Sequence, residues 1–106
     1  GQIRFGEVLA KYKSSKIPLL AESTKGKYLS HIDRHIEPAF RDLKIAEIDT
    51  PTIQAWLNTK TTLSWATKTD LRNILSAIFT AADEWKIVSA NPVAKVKVGR
   101  RRAVYE

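Results

Sequence analysis

An all-α fold is what this sequence predicts, and three observations carry the prediction. Leu71, Ile74, Leu75, Ile78, Phe79, Ala82 and Trp85 advance in steps of three and one, the period of a single apolar helix face. Helix-opening residues recur ahead of apolar runs, at Ser23-Thr24, Thr50-Pro51 and Ser64. Only 4 Gly and 4 Pro in 106 residues argue against a turn-rich all-β chain. At this length the expectation is one domain of four to five helices with one modest core.

The first helix is expected over residues 5–12, where Phe5, Val8, Leu9 and Tyr12 repeat at helical spacing. Residues 13–20, with two serines and Pro18, read as a loop. The second helix opens at Ser23 or Thr24, runs to about Ile36 and stops before Pro38. Tyr28, Leu29, Ile32 and Ile36 form its apolar stripe, while Lys25, Lys27, His31, Arg34 and His35 lie elsewhere on its surface. Gly26 lowers helix propensity by up to about 1 kcal/mol and admits close approach to the backbone. Residues 40–48 form a connection in which Leu43, Ile45 and Ile48 alternate, with no partner strand in the sequence.

Thr50 is the expected cap of the third helix, with Pro51 at its first position and Ile53, Trp56 and Leu57 facing inward. It ends within residues 58–62. Ser64 caps the fourth helix, residues 65–85, roughly 30 Å long at 1.5 Å per residue. Residues 88–93 are a turn, and Asn91-Pro92-Val93 opens one last short helix. Trp56 and Trp85 are assigned to the core. Trp65 is off the apolar stripe and either closes the core edge or stacks on a partner. Residues 95–106 show no apolar period, so the expected division is a helical body over 1–94 and a linker over 95–106.

Charge is the first functional hint. The chain carries 18 Lys and Arg against 11 Asp and Glu, a net charge of +7. Such a balance suits a polyanionic partner, nucleic acid before membrane. Lys95, Lys97, Arg100, Arg101 and Arg102 concentrate the excess in the last segment, leaving residues 1–94 at only +3. That tail is either a solvated linker or part of the contact with the polyanion.

Several chemistries are disfavoured. The absence of cysteine excludes disulfides and thiol nucleophiles, and two histidines without cysteine do not make the usual zinc set. His31 and His35 are one helical turn apart but lack a third ligand, and no cofactor is expected. No apolar run approaches the ~20 residues of a membrane span, and no signal peptide is visible. There is no glycine-rich phosphate loop and no nucleophile elbow. Asp83-Glu84 is the only adjacent carboxylate pair and falls on the solvated side of the long helix. The chain begins at Gly1 and not at Met, as expected of a piece excised from a longer protein.

The order and spacing of these features resemble a known family. The run Leu63-Ser64-Trp65-Ala66-Thr67-Lys68 through Ile74-Leu75-Ser76-Ala77-Ile78-Phe79, then Asp83-Glu84-Trp85 and Asn91-Pro92-Val93, is similar to the N-terminal core-binding domain of phage-integrase-type tyrosine recombinases. Phe5-Gly6-Glu7-Val8-Leu9, Ser23-Thr24 with Tyr28 and His31-Ile32, and Ile48-Asp49-Thr50-Pro51 with Trp56-Leu57 extend the likeness over nearly the whole chain. Lys86 departs from it, standing where many relatives have a capping glycine.

The resemblance implies a SAM-like helical domain forming half of a clamp around double-stranded DNA. The catalytic domain of the same parent chain would be the other half. Carried over residue by residue, the DNA contacts fall on Thr24, Lys27 and His31 in the second helix and Thr67 and Lys68 in the fourth. The charge pattern adds Lys25 and Arg72. The implied parent reaction is strand cleavage by a tyrosine through a 3′-phosphotyrosyl intermediate, without a cofactor, and this piece is expected to be inactive. His31-Ile32-Asp33-Arg34 matches the family's catalytic His-x-x-Arg only by coincidence, and Tyr105 lies in the linker without a surrounding site. Any oligomer would form on DNA through the full-length protein, in a bacterial or phage-encoded cytoplasmic setting, with no membrane partner. The rival expectation is a helical protein-interaction module that binds an acidic partner through the basic tail.

Overall fold

The structure is a computed structural model that describes residues 3–99, so Arg100, Arg101, Arg102 and Tyr105 lie outside the described residues. Within them the chain is helix, turn and loop, apart from one isolated bridge pair between Arg4 and Lys44. The apolar repeat at the start becomes α1 (Phe5–Ser15), which buries Phe5, Val8, Leu9 and Tyr12. The helix outlasts its apolar period because Lys13 is held by Asp33 and Glu37, each at 3.2 Å. The expected loop shrinks to a 3-10 turn, Ile17–Leu19. At the other end the first N–H groups of α1 donate to a neighbouring loop, Phe5 to the Leu43 carbonyl at 2.8 Å and Gly6 to the Arg41 carbonyl at 3.1 Å. A Cβ on Gly6 would stand 2.8 Å from Arg41 Cγ and 3.1 Å from the Arg41 oxygen. This close approach therefore requires glycine.

The second helix departs from expectation at both ends. α2 (Glu22–His31) begins after an extended Ala21 with no side-chain cap, and Ser23 and Thr24 sit inside its first turn. It also does not stop before Pro38. Ile32–Ile36 widen into a π turn, and α3 (Glu37–Phe40) takes Pro38 within its first turn. In a regular helix the proline would leave the carbonyl of residue 34 unpaired and clash with it. The wider turn, in which the Glu37 N–H reaches the Ile32 carbonyl, lets the chain pass Pro38 without ending. Ile32, Ile36 and Phe40 stay on the buried side throughout. The alternating connection that follows is closed by a 3-10 turn, Ile45–Glu47, and not by a strand.

The cap of α4 (Thr50–Asn58) is Asp49, one residue before the expected Thr50. Its carboxylate accepts from the Thr52 N–H at 3.0 Å, while the Thr50 hydroxyl donates to the Pro92 carbonyl at 2.6 Å. α5 (Trp65–Glu84) starts as expected, with Ser64 Oγ accepting from the Thr67 N–H at 3.2 Å. It ends in a Schellman motif. Ile87 N–H donates to the Ala82 carbonyl at 2.8 Å and Lys86 N–H to Asp83 at 2.9 Å, with Lys86 at φ 60°. The glycine-like cap geometry is thus kept by a lysine.

Leu71, Ile74, Leu75, Ile78, Phe79 and Ala82 are all buried, as their period requires. Phe5 meets Phe40 and Phe79 at 5.8 Å between ring centres, and Phe40 meets Trp56 at 5.0 Å edge-on. One aromatic chain therefore ties α1, α3, α4 and α5 together. Trp56 and Trp85, expected in the core, are only half-buried against its outer side, and Lys11 Nζ stands 4.6 Å above the Trp85 ring. Both tryptophans lie where their helices leave the core, at the edge of the apolar stripe. The last short helix is a 3-10 turn, Pro92–Lys95, with Asn91 Oδ1 accepting from the Val93 N–H at 2.9 Å. Packing continues past residue 94: Val96 is buried and Val98 lies against the core.

Candidate nucleic-acid interface

The expected contact residues divide between α2 and α5, and one ion pair joins the two helices among them. Lys27 Nζ lies 3.1 Å from Asp70 Oδ2. Both residues are the sixth of their helix, so each N-terminus lies about 8 Å along its axis from the junction. Thr24 and Lys25 are within three residues of Lys27, and Thr67 and Lys68 within three of Asp70. Thr24 and Thr67, three residues from the paired positions, share their helix faces, whereas Lys25, Lys68 and Arg72, two residues away, do not. The pair also places one carboxylate among the cations, which the sequence pattern did not indicate.

The individual side chains differ in what they do. Lys25 holds Glu22 at 2.9 Å along its own helix. Thr67 takes part in the cap of α5 and shares a 3.1 Å hydrogen bond with Ser64 Oγ. Among the described residues Lys68 has no ion-pair partner. Arg72 is turned away from a solvated role. Its guanidinium donates to the carbonyls of Val96 at 2.9 Å and of Val93 and Ala94 at 3.2 Å each, holding the last 3-10 turn and the residue after it against α5.

His31 lies one turn beyond Lys27 and opens a second basic cluster. Its ring centre is 6.3 Å from that of His35. Burial, then the charges of Lys60, His31 and Arg34, hold the His35 imidazole below the ordinary histidine range. Lys60 follows α4 and rests 5.7 Å from the centre of the Trp56 ring. The acids on this stretch point elsewhere, since Asp33 and Glu37 both pair with Lys13 on α1. His35 and Lys60 were missed as neighbours because they are far apart in sequence, and no periodicity relates them. Among the described residues no group of three His, Cys, Asp or Glu gathers, and no helix is long and apolar enough to cross a membrane.

A family model described as phage integrase, N-terminal SAM-like domain, matches residues 4–61. The integrase-like domain from Bacillus cereus, solved by NMR in solution, superposes with a TM-score of 0.86 at 18% identity, covering 99% of this chain and 92% of that one. Fragment 61–160 of a Clostridium leptum protein, also a solution structure, gives 0.82 at 25% identity, covering 98% and 95%. No curated protein matches the sequence significantly.

Proposed function

Because the chain belongs to the phage integrase N-terminal SAM-like domain family, we propose that it is the DNA-binding half of a tyrosine-recombinase clamp. It grips the duplex at the core recombination site while strand cleavage and rejoining belong to the catalytic domain of the parent chain. The observation that supports this most directly is the Lys27–Asp70 ion pair, which links α2 to α5 about 8 Å along each helix from its start. Helix N-termini favour phosphate through their free N–H groups and dipoles, and α2 leaves its first turn without a side-chain cap. Lysines on the same surface add a salt-dependent attraction, and Thr24, His31 and Thr67 supply hydrogen-bonding groups for phosphate oxygens or base edges.

Half a clamp makes only part of the contacts, so binding by the isolated domain is weak. With about four to five phosphates neutralised, the log–log dependence of affinity on salt has a slope of order −3 to −5. Fluorescence anisotropy of a labelled duplex across a salt series measures it. Binding that ignores salt, or no binding at low salt, contradicts the proposal.

A further inference from the structure

The polar line of α2 does not end with the helix. Thr24, Lys27 and His31 follow at intervals of three and four on one face. The π turn carries the line on to His35, whose ring centre lies 6.3 Å from that of His31. Arg34 is exposed on the same turn. Lys60 joins from the end of α4. Its Nζ rests 5.7 Å from the centre of the Trp56 ring, and that ring meets buried Phe40 edge-on at 5.0 Å. The cluster is therefore built from two separate elements, and one of its cations lies over an aromatic ring packed on the core. Among the described residues no carboxylate pairs with His31, Arg34, His35 or Lys60. Asp33 and Glu37 of the same rod both pair with Lys13 of α1, and Asp70 of α5 pairs with Lys27.

We propose that His31, Arg34, His35 and Lys60 form a second phosphate contact for the duplex, roughly 12 Å along the rod from Lys27, and that His35 takes up a proton as the phosphate docks. The inference rests on the duplex-binding function proposed above. It adds a contact on the far side of the π turn whose strength depends on pH. Its physical basis is uncompensated charge. The charges that act on His35 are those of Lys60, His31 and Arg34, all basic, and they add to burial in opposing its protonation. An anion seated among them reverses that balance, because its negative charge favours the imidazolium. The His35 value is therefore higher in the complex than in the free domain, and affinity rises as pH falls between the two. Each pH unit of that rise is tenfold in affinity at low pH.

The test uses anisotropy of a labelled 20-base-pair duplex with the 1–106 chain and with His35→Gln, at pH 7.5 and 5.5 and constant ionic strength. On acidification the parent chain is expected to gain about three- to tenfold more affinity than His35→Gln, whose remaining gain reports His31. Lys60→Gln at pH 7.5 is expected to reduce the salt slope by about one. Thermal melting reports whether the variants fold. NMR titration of the His35 ring proton in the parent chain needs no substitution and keeps the inference testable if they do not. Its value is expected to rise by about 0.5–1 pH unit when the duplex is added. An unmoved value overturns the inference, as do equal gains by the parent and His35→Gln or a salt slope unchanged by Lys60→Gln. The same rise with inorganic phosphate alone, at equal ionic strength, also overturns it, because the cluster would then be a site for a free anion. In those cases the duplex-binding function stands, whereas a parent chain that binds no duplex at low salt removes that function and this contact together.

Discussion

Lys86 shows what one residue can do against its own preference. Its φ of 60° lies in the left-handed region, where a side chain costs roughly 1 kcal/mol, yet two backbone hydrogen bonds of the Schellman motif keep it there. Lys86→Gly is therefore expected to stabilise the domain by about 0.5–1 kcal/mol, read as a rise in the urea midpoint at unchanged m-value. Gly6 is the opposite case. Alanine there would gain about 1 kcal/mol of helix propensity, but its methyl would stand 3.1 Å from the Arg41 carbonyl oxygen that accepts the Gly6 N–H. Overpacking of that kind costs about 1–3 kcal/mol, so Gly6→Ala is expected to lower the urea midpoint. His35 sets a pH dependence. Its folded value lies below the ordinary one, so its contribution is complete above about pH 6.5 and is lost as pH falls through the folded value. NMR titration of the His35 ring proton is expected to show this depressed value. Lys60→Gln removes the largest of the neighbouring charges and is expected to raise it. A His35 value unmoved by that substitution would contradict the cluster.

Among the elements, α5 is the one whose start and face both follow local rules. Ser64 supplies the cap oxygen for the Thr67 N–H, and removing it by Ser64→Ala is expected to cost about 1 kcal/mol in a urea melt. The rod made by α2, the π turn and α3 follows a different logic. Its buried residues Ile32, Ile36 and Phe40 need a continuous helical face, whereas Pro38 forbids a regular one. Packing against α1 and α5 rewards continuity, and the π turn reconciles the two. The end of α5 is where a core assignment fails. Trp85 is half-buried, with Lys11 over its ring. Trp85→Ala is accordingly expected to cost about 2 kcal/mol, below the 3–5 kcal/mol of a fully buried tryptophan.

At the scale of the molecule, the proposed DNA surface separates from net charge by its position. Lys27→Ala with Lys68→Ala removes one cation of the α2–α5 ion pair and one from the first turn of α5, and leaves Asp70 without its partner. The pair is expected to weaken duplex binding and to reduce the salt slope by about two. Lys16→Gln with Lys86→Gln is the matched control. Lys16 pairs with Glu84 at the last turn of α5, and Lys86 follows it, roughly 25 Å along the helix from Lys68. Equal loss in both variants would mean that only diffuse charge attracts the duplex. Lys11 and Lys13 are unsuitable controls, since one covers Trp85 and the other joins α1 to Asp33 and Glu37.

What the sequence alone determined is whatever depends on near neighbours in the chain. The apolar face of α5, its Ser64 cap, the buried face of α1 and the Asn91-Pro92 turn all act within a few residues, where spacing and side-chain chemistry suffice. The cationic residues on α2 and α5 were legible in the same way, together with the family likeness that joined them. Tertiary structure alone decided the rest. It set the passage of the helix through Pro38, the requirement for glycine at position 6, the pairing of Lys27 with Asp70, the meeting of His35 with Lys60, and the turning of Arg72 onto the chain's own carbonyls. Each of these joins residues across folded elements or weighs a local preference against long-range burial. Such contacts arise only when packing brings distant segments together, and no local pattern encodes which segments those are.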